Sequence, residues 1–356
     1  MKFRTWMSVT VACLFAALAV TVQTSAQITT FNVKSAGTGA GQGTTPAYIN
    51  LWGSIAGYYI DSSGVYHGFL RAPSGTITTF DPTGSVFTIA YSLNLEGSIA
   101  GYYVDPTFFM FHGLLRAHDG TFTKFDPAGS TATFASSIND FGAIAGFYLD
   151  SSGMYHGFLR AGNGTITPFD PTGSVGTFTT TSSGLNDAGA ISGQYLDSSG
   201  VYHGFLRAGN GTITTFNVTG AGTGSGQGTF SGSINNFGVI AGLYIDSSGV
   251  NHGFVRTPDG NITEFDVKGA GTGAGQGTSP NNLNDFGVIA GNYIDSSGVN
   301  HGFVRAPDGN ITKVNVKGAG TVSGQGTVAD SNNLEGVSAG FYIDSSGVYH
   351  GFLRNP

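Results

Sequence analysis

The 356 residues carry 14 basic and 21 acidic side chains, a formal charge of −7, and 59 glycines. That balance argues against a nucleic-acid partner, because phosphate binding needs clustered Lys and Arg. With 12% aromatic and 10% charged residues, the composition is that of a turn-rich all-β chain rather than a disordered one.

The first 26 residues read as a secretory signal peptide, followed by one domain over 27–356. Lys2 and Arg4 precede an apolar run from Val9 to Val22, and Thr24-Ser25-Ala26 offers small residues before Gln27. A lipoprotein reading of Cys13 is the alternative, but Thr10 stands where a large aliphatic is wanted. Cys13 is the only cysteine, so the mature chain would fold without disulfides. No later apolar run is long enough to span a bilayer, so no membrane insertion is expected after signal removal. The expected location is extracellular or periplasmic, and the expected state is a monomer.

From there the sequence repeats. The segment beginning at Gly57 (GYYIDSSGVYHGFLR) has relatives beginning at Gly101, Gly146, Gly193, Gly242, Gly291 and Gly340. Spacings in the forties suit a propeller blade of four short strands. In the third copy the strands fall at about Phe134–Ile138, Ala143–Leu149, Met154–Arg160 and Thr165–Phe169. The links Asn139-Asp140-Phe141-Gly142, Asp150-Ser151-Ser152-Gly153 and Ala161-Gly162-Asn163-Gly164 carry hairpin chemistry. Strand two is apolar on both faces, as a sheet wedged between neighbours requires.

The ends of the chain are out of phase with the repeat. It opens at Ile28–Phe31, which matches a fourth strand, and closes at Gly351–Arg354, the end of a third. The reading is an all-β, seven-bladed β-propeller of four-stranded blades, closed by the N-terminal strand. A β-solenoid is the rival, and it would need caps that are not visible.

The module resembles the extracellular HAF-repeat family, on IN-D-F-G-x-I-A-G followed by a His-Gly-Phe-Leu-Arg segment, with Gly157 where the family name implies Ala. The resemblance covers the mature chain. It implies secretion and a repeat fold, and it brings no reaction and no catalytic residues.

Seven histidines recur (His67, His112, His156, His203, His252, His301, His350), each followed four residues later by Arg. Strand three lies about two strand spacings outside strand one, roughly 10 Å, so these histidines cannot share an ion. A hydrogen-bonded His and a paired Arg are expected in each blade. The turn aspartates, Asp61 to Asp344, are one carboxylate per loop, too few for calcium, and read as Asx turns. Gly-rich loops such as 270–277 have a GxGxxG-like spacing but no helix after them, so they are read as flexible connections between blades. Asn163, Asn210, Asn261 and Asn310 match the glycosylation pattern, yet they sit where a turn wants Asn anyway.

Function is sought where the copies disagree. The second copy replaces DSSG with an apolar tip holding Phe108, Phe109 and Phe111, and Trp52 sits at the first turn of the first copy. These four are the candidate ligand-binding residues, on opposite faces of the ring. No Ser–His–Asp set, carboxylate pair or metal cluster stands out, and no cofactor is implied. The leading reading is a secreted non-catalytic scaffold for an extracellular protein or glycan. A carbohydrate-active hydrolase or lyase, and a structural cell-surface protein, are the alternatives. An enzyme predicts acidic residues converging at the axial mouth, a binding ring predicts an aromatic or repeated surface, and a structural protein predicts neither.

Overall fold

The structure, a computed structural model, describes residues 26–107, 109–180 and 183–356. The signal segment up to residue 25 and Phe108 lie outside the described residues. Among the described residues every regular element is a strand, and no helix is long and apolar enough to cross a membrane.

The third unit shows the plan. Strands Ser130–Ile138, Ile144–Asp150, Tyr155–Arg160 and Ile166–Phe169 pair antiparallel in chain order. Each hairpin turns on a glycine at positive φ, namely Gly142, Gly153 and Gly164. In the second turn Asp150 Oδ1 accepts the amides of Ser152 (2.8 Å) and Met154 (2.9 Å), the expected Asx geometry. The same plan recurs along the chain. The unit that contains Gly326–Asn332, Ser338–Ile343 and Tyr349–Arg354 takes its fourth strand from Ile28–Phe31, which pairs with the C-terminal strand from Ile28↔Arg354 to Phe31↔Gly351.

The core lies between units. One cluster joins Ala100 and Phe125 of the second unit to Ala135, Ile138, Ile144 and Phe158 of the third. Another joins Ala339 near the C-terminus to Ile49, Ile55 and Phe69 of the first unit. A fully buried Phe in the third strand (Phe69, Phe158, Phe205, Phe254, Phe303, Phe352) contributes about 2–3 kcal/mol each by transfer from water.

The Gly-rich connections are not slack, which corrects the flexible reading. Gln42 Oε1 accepts the Gly39 amide (2.9 Å), and its Nε2 donates to the Ser62 carbonyl (3.1 Å). Gly43, at φ 126°, then forms a parallel bridge to Tyr349, where an added Cβ would lie 2.0 Å from the Tyr349 carbonyl oxygen. Gln227 and Gln276 repeat both bonds, and Gln325 repeats the one to a carbonyl, that of Ser345.

Candidate functional site

The recurring polar residues hold the units together. His67 Nδ1 meets Asp81 at 2.7 Å and its Nε2 meets Asp61 at 3.4 Å, so the ring ties a hairpin turn to the end of the fourth strand. His156 sits likewise between Asp170 (2.7 Å) and Asp150 (3.3 Å). Burial acts to lower the His156 pKa, but bonding to Asp170 and Asp150 outweighs it and raises the value. The Arg partners are aromatic rings. Arg71 lies over Phe31 at 4.9 Å and Arg116 over Phe80 at 4.9 Å, each ring belonging to the preceding unit.

At the turn between first and second strands, one Asn does two jobs. Asn50 Oδ1 accepts the Ser54 amide within its own turn (3.0 Å), and Nδ2 donates to the Asn94 carbonyl of the next unit (3.1 Å). Asn94, Asn139, Asn186, Asn235 and Asn284 each donate onward in the same way. Asn333 donates to Asn50 O at 3.2 Å, which returns the chain of bonds to its start.

The residues that follow these asparagines differ. Leu51, Leu95 and Leu334 form one arc of the mouth, and Asp140, Asp187, Asn236 and Asp285 form the other, around a cavity of about 160 Å³. This convergence corrects the sequence reading, which found no grouped carboxylates. The acids are engaged. Asp140 Oδ1 accepts the Leu95 amide (2.9 Å), Asp187 Oδ1 that of Asp140 (3.0 Å), and Asp285 Oδ1 that of Asn236 (2.8 Å). Asn236 Nδ2 bridges Asp187 (2.8 Å) and Asp285 (3.1 Å). Burial, followed by the charges of Asp187, Asp285 and Glu96, raises the Asp140 pKa against the Leu95 hydrogen bond. Burial, followed by the charges of Asp140, Asp285 and Asp187, pushes the Tyr48 phenol up to about 12.

One position further on, the tip side chains face solvent. Trp52 is 64% exposed, Phe141 75%, Phe237 69% and Phe286 64%. Trp52 is therefore one member of an aromatic crown around the mouth. The three phenylalanines escaped the sequence reading because they recur, although lying between Asn-Asp or Asn-Asn and Gly in a tight turn was a signal for exposure.

The other end of the axis holds the second-copy tip. Phe109 is 72% exposed and takes a left-handed backbone, φ 53°. Phe111 instead packs against Phe134 (5.1 Å) and Tyr102 (5.7 Å). It thus joins a half-buried aromatic wall that continues through Phe147 and Phe178. The structure does not bring Trp52 and the Phe tip together, because they cap opposite ends of antiparallel strands.

No family model and no curated protein matches the chain. Solved structures do. A lectin from Burkholderia pseudomallei, BP39L, superimposes with a TM-score of 0.56 at 12% identity, over 87% of this chain and 96% of the lectin. The fold is a β-propeller. A puromycin hydrolase aligns at 0.56 and 10% identity over 84% of this chain, and a prolyl endopeptidase at 0.55 and 14% over 90%. This chain spans 50% of each of those two enzymes.

Proposed function

We propose that the chain is a secreted, non-catalytic, seven-bladed propeller, closed by Ile28–Phe31, that binds an extracellular glycan on its crown face. The observation that carries this reading is the ring of exposed Trp52, Phe141, Phe237 and Phe286 around a mouth lined by Asp and Asn oxygens. Aromatic faces pack the apolar side of a sugar ring, and carboxylate and amide groups bond its hydroxyls. Likeness to a lectin supports the reading at the level of the fold. The resemblance to HAF-repeat proteins and the N-terminal Lys2–Ala26 pattern support secretion.

A glycan array probed with the mature chain, beside an envelope-protein pull-down, is the test. Binding to a defined glycan set should vanish in a Trp52→Ala, Phe141→Ala, Phe237→Ala, Phe286→Ala variant whose melting temperature is kept. Retention of a protein partner without any glycan signal would replace the glycan by a protein.

The acidic arc favours one second reading, a glycan hydrolase or lyase, because Asp140 and its neighbours are carboxyls in unlike environments. It ranks second because the Oδ1 atoms of Asp140, Asp187 and Asp285 each accept a main-chain amide. Turnover of chromogenic glycosides that is lost in Asp140→Asn would reverse the order.

A further inference from the structure

Strands that line the axis skip register by one residue, at Ala47, Tyr91, Ser136, Asn281 and Asp330. A bulged residue has no cross-strand partner, so its side chain is free of the ladder and can be aimed elsewhere. These side chains share no common chemistry, which marks the position as one the repeat does not need. Asp330 is the only carboxylate among them.

Asp330 lines a cavity of about 290 Å³ with Tyr58, Tyr91, Phe341, Asn281 and Thr45. Its carboxyl has no hydrogen-bond or ion-pair partner among the described residues. Asn281, by contrast, spends its amide on the Ala329 carbonyl and Asn292, each at 3.1 Å. Among the described residues no Lys, Arg or His lines the cavity. The Asp330 side chain is half-buried and faces the channel, and desolvation by the surrounding protein raises its pKa well above the usual range.

We propose that this cavity is a binding site for a small organic monocation, a quaternary or tertiary ammonium. Its charge would rest against Asp330 and its methyl groups against Tyr58, Tyr91 and Phe341. The aromatic faces present negative quadrupole density to such a cation, and the interaction strengthens where water is excluded. A hard metal ion is a poor fit, because one carboxylate among aromatic rings supplies too few oxygens. The acids at the opposite mouth and the net charge of −7 draw cations toward the axis. This site is separate from the crown and goes beyond the glycan reading.

Calorimetry on the mature chain tests it, with choline and tetramethylammonium as probes and 3,3-dimethylbutan-1-ol as the uncharged counterpart of choline. Choline should bind saturably, with affinity falling about ten-fold or more for the uncharged alcohol and for Asp330→Asn, the scale of one lost charge contact. Tyr91→Leu should weaken choline as well. Choline affinity should also fall as pH falls, because protonation of Asp330 removes the charge that the ammonium rests against. Equal binding of the alcohol, unchanged binding by Asp330→Asn, or no saturable binding of either ammonium overturns the proposal. Circular dichroism confirms that each variant is folded. Asp330→Asn should leave glycan binding at the crown intact, so the two readings fail independently.

Discussion

Replacing Asn186 by Ala cuts one link in the chain of bonds around the mouth. The side chain is 5% exposed, accepts the Ala190 amide at 2.9 Å, and donates to the Asn235 carbonyl at 3.0 Å. The Asn235 carbonyl keeps the Gly238 amide, so it is not orphaned, whereas the Ala190 amide loses its side-chain acceptor. Two lost bonds at about 1 kcal/mol each, plus one poorly satisfied donor, put the cost at about 2–4 kcal/mol. For a chain of this size, about 2.1 cal/mol/K of unfolding entropy per residue converts that into roughly 3–6 °C. Asn186→Asp separates the two roles, since it keeps the acceptor but sets an oxygen against the Asn235 carbonyl. Only the protonated form of the new carboxyl can donate, so its folded-state pKa is raised. The stability of that variant should be nearest the parent at low pH and fall as pH rises. Melts followed by circular dichroism at pH 4 and pH 7 provide the measurement, with exposed Ser63→Ala as control. If both variants melt with the control at both pH values, the ring of asparagines is not a source of stability.

Two further perturbations probe a tie within one unit and a stacking joint between units. The raised His156 pKa means that its contribution is present below the unfolded value and is lost as pH rises through the folded one. Asp170→Asn should lower the His156 pKa read by NMR and destabilise more at pH 6 than at pH 8, and equal costs would refute the linkage. Val314 stands where the preceding units present Phe80, Phe125, Phe169, Phe216 and Phe265, and it pairs with Gly302 as Phe80 pairs with Gly68. Val314→Phe should place a ring beneath Arg354 and add about 1 kcal/mol, read as a higher melting temperature. A lower one would mean the space above Gly302 has already closed.

Periodicity made the scaffold legible. The spacing of His-Gly-Phe segments located four strands per unit, and the offset of Ile28–Phe31 against Gly351–Arg354 located the pairing of the two ends. Local turn chemistry was legible too, since Asp150 in DSSG does what an Asx turn requires. Contacts one unit apart were not. That Asn139 bonds Asn186, or that Arg160 covers Phe125, depends on how neighbouring units stack, which no local pattern encodes. Trp52 was singled out because it breaks the repeat, yet it shares its place with Phe141, Phe237 and Phe286, whose recurrence made them look like core.

Asp330 was hidden for a different reason, and that reason bears on where function sits in such a ring. Alternation assigns each strand residue to a face, and a bulge shifts the assignment by one, so a channel residue reads as a sheet residue. The repeat uses His for strand-end ties, Arg for stacking and Asn for the axial bonds, so each of these side chains has a recurring structural role. Two positions carry no duty that recurs from unit to unit: the turn tip that carries Trp52 and Phe141, and the bulge that carries Tyr91 and Asp330. A substitution there changes what the ring presents while the ladder and the inter-unit joints stay intact. These are the positions at which copies can diverge at least structural cost, and the two ends of the axis are where the divergent side chains collect.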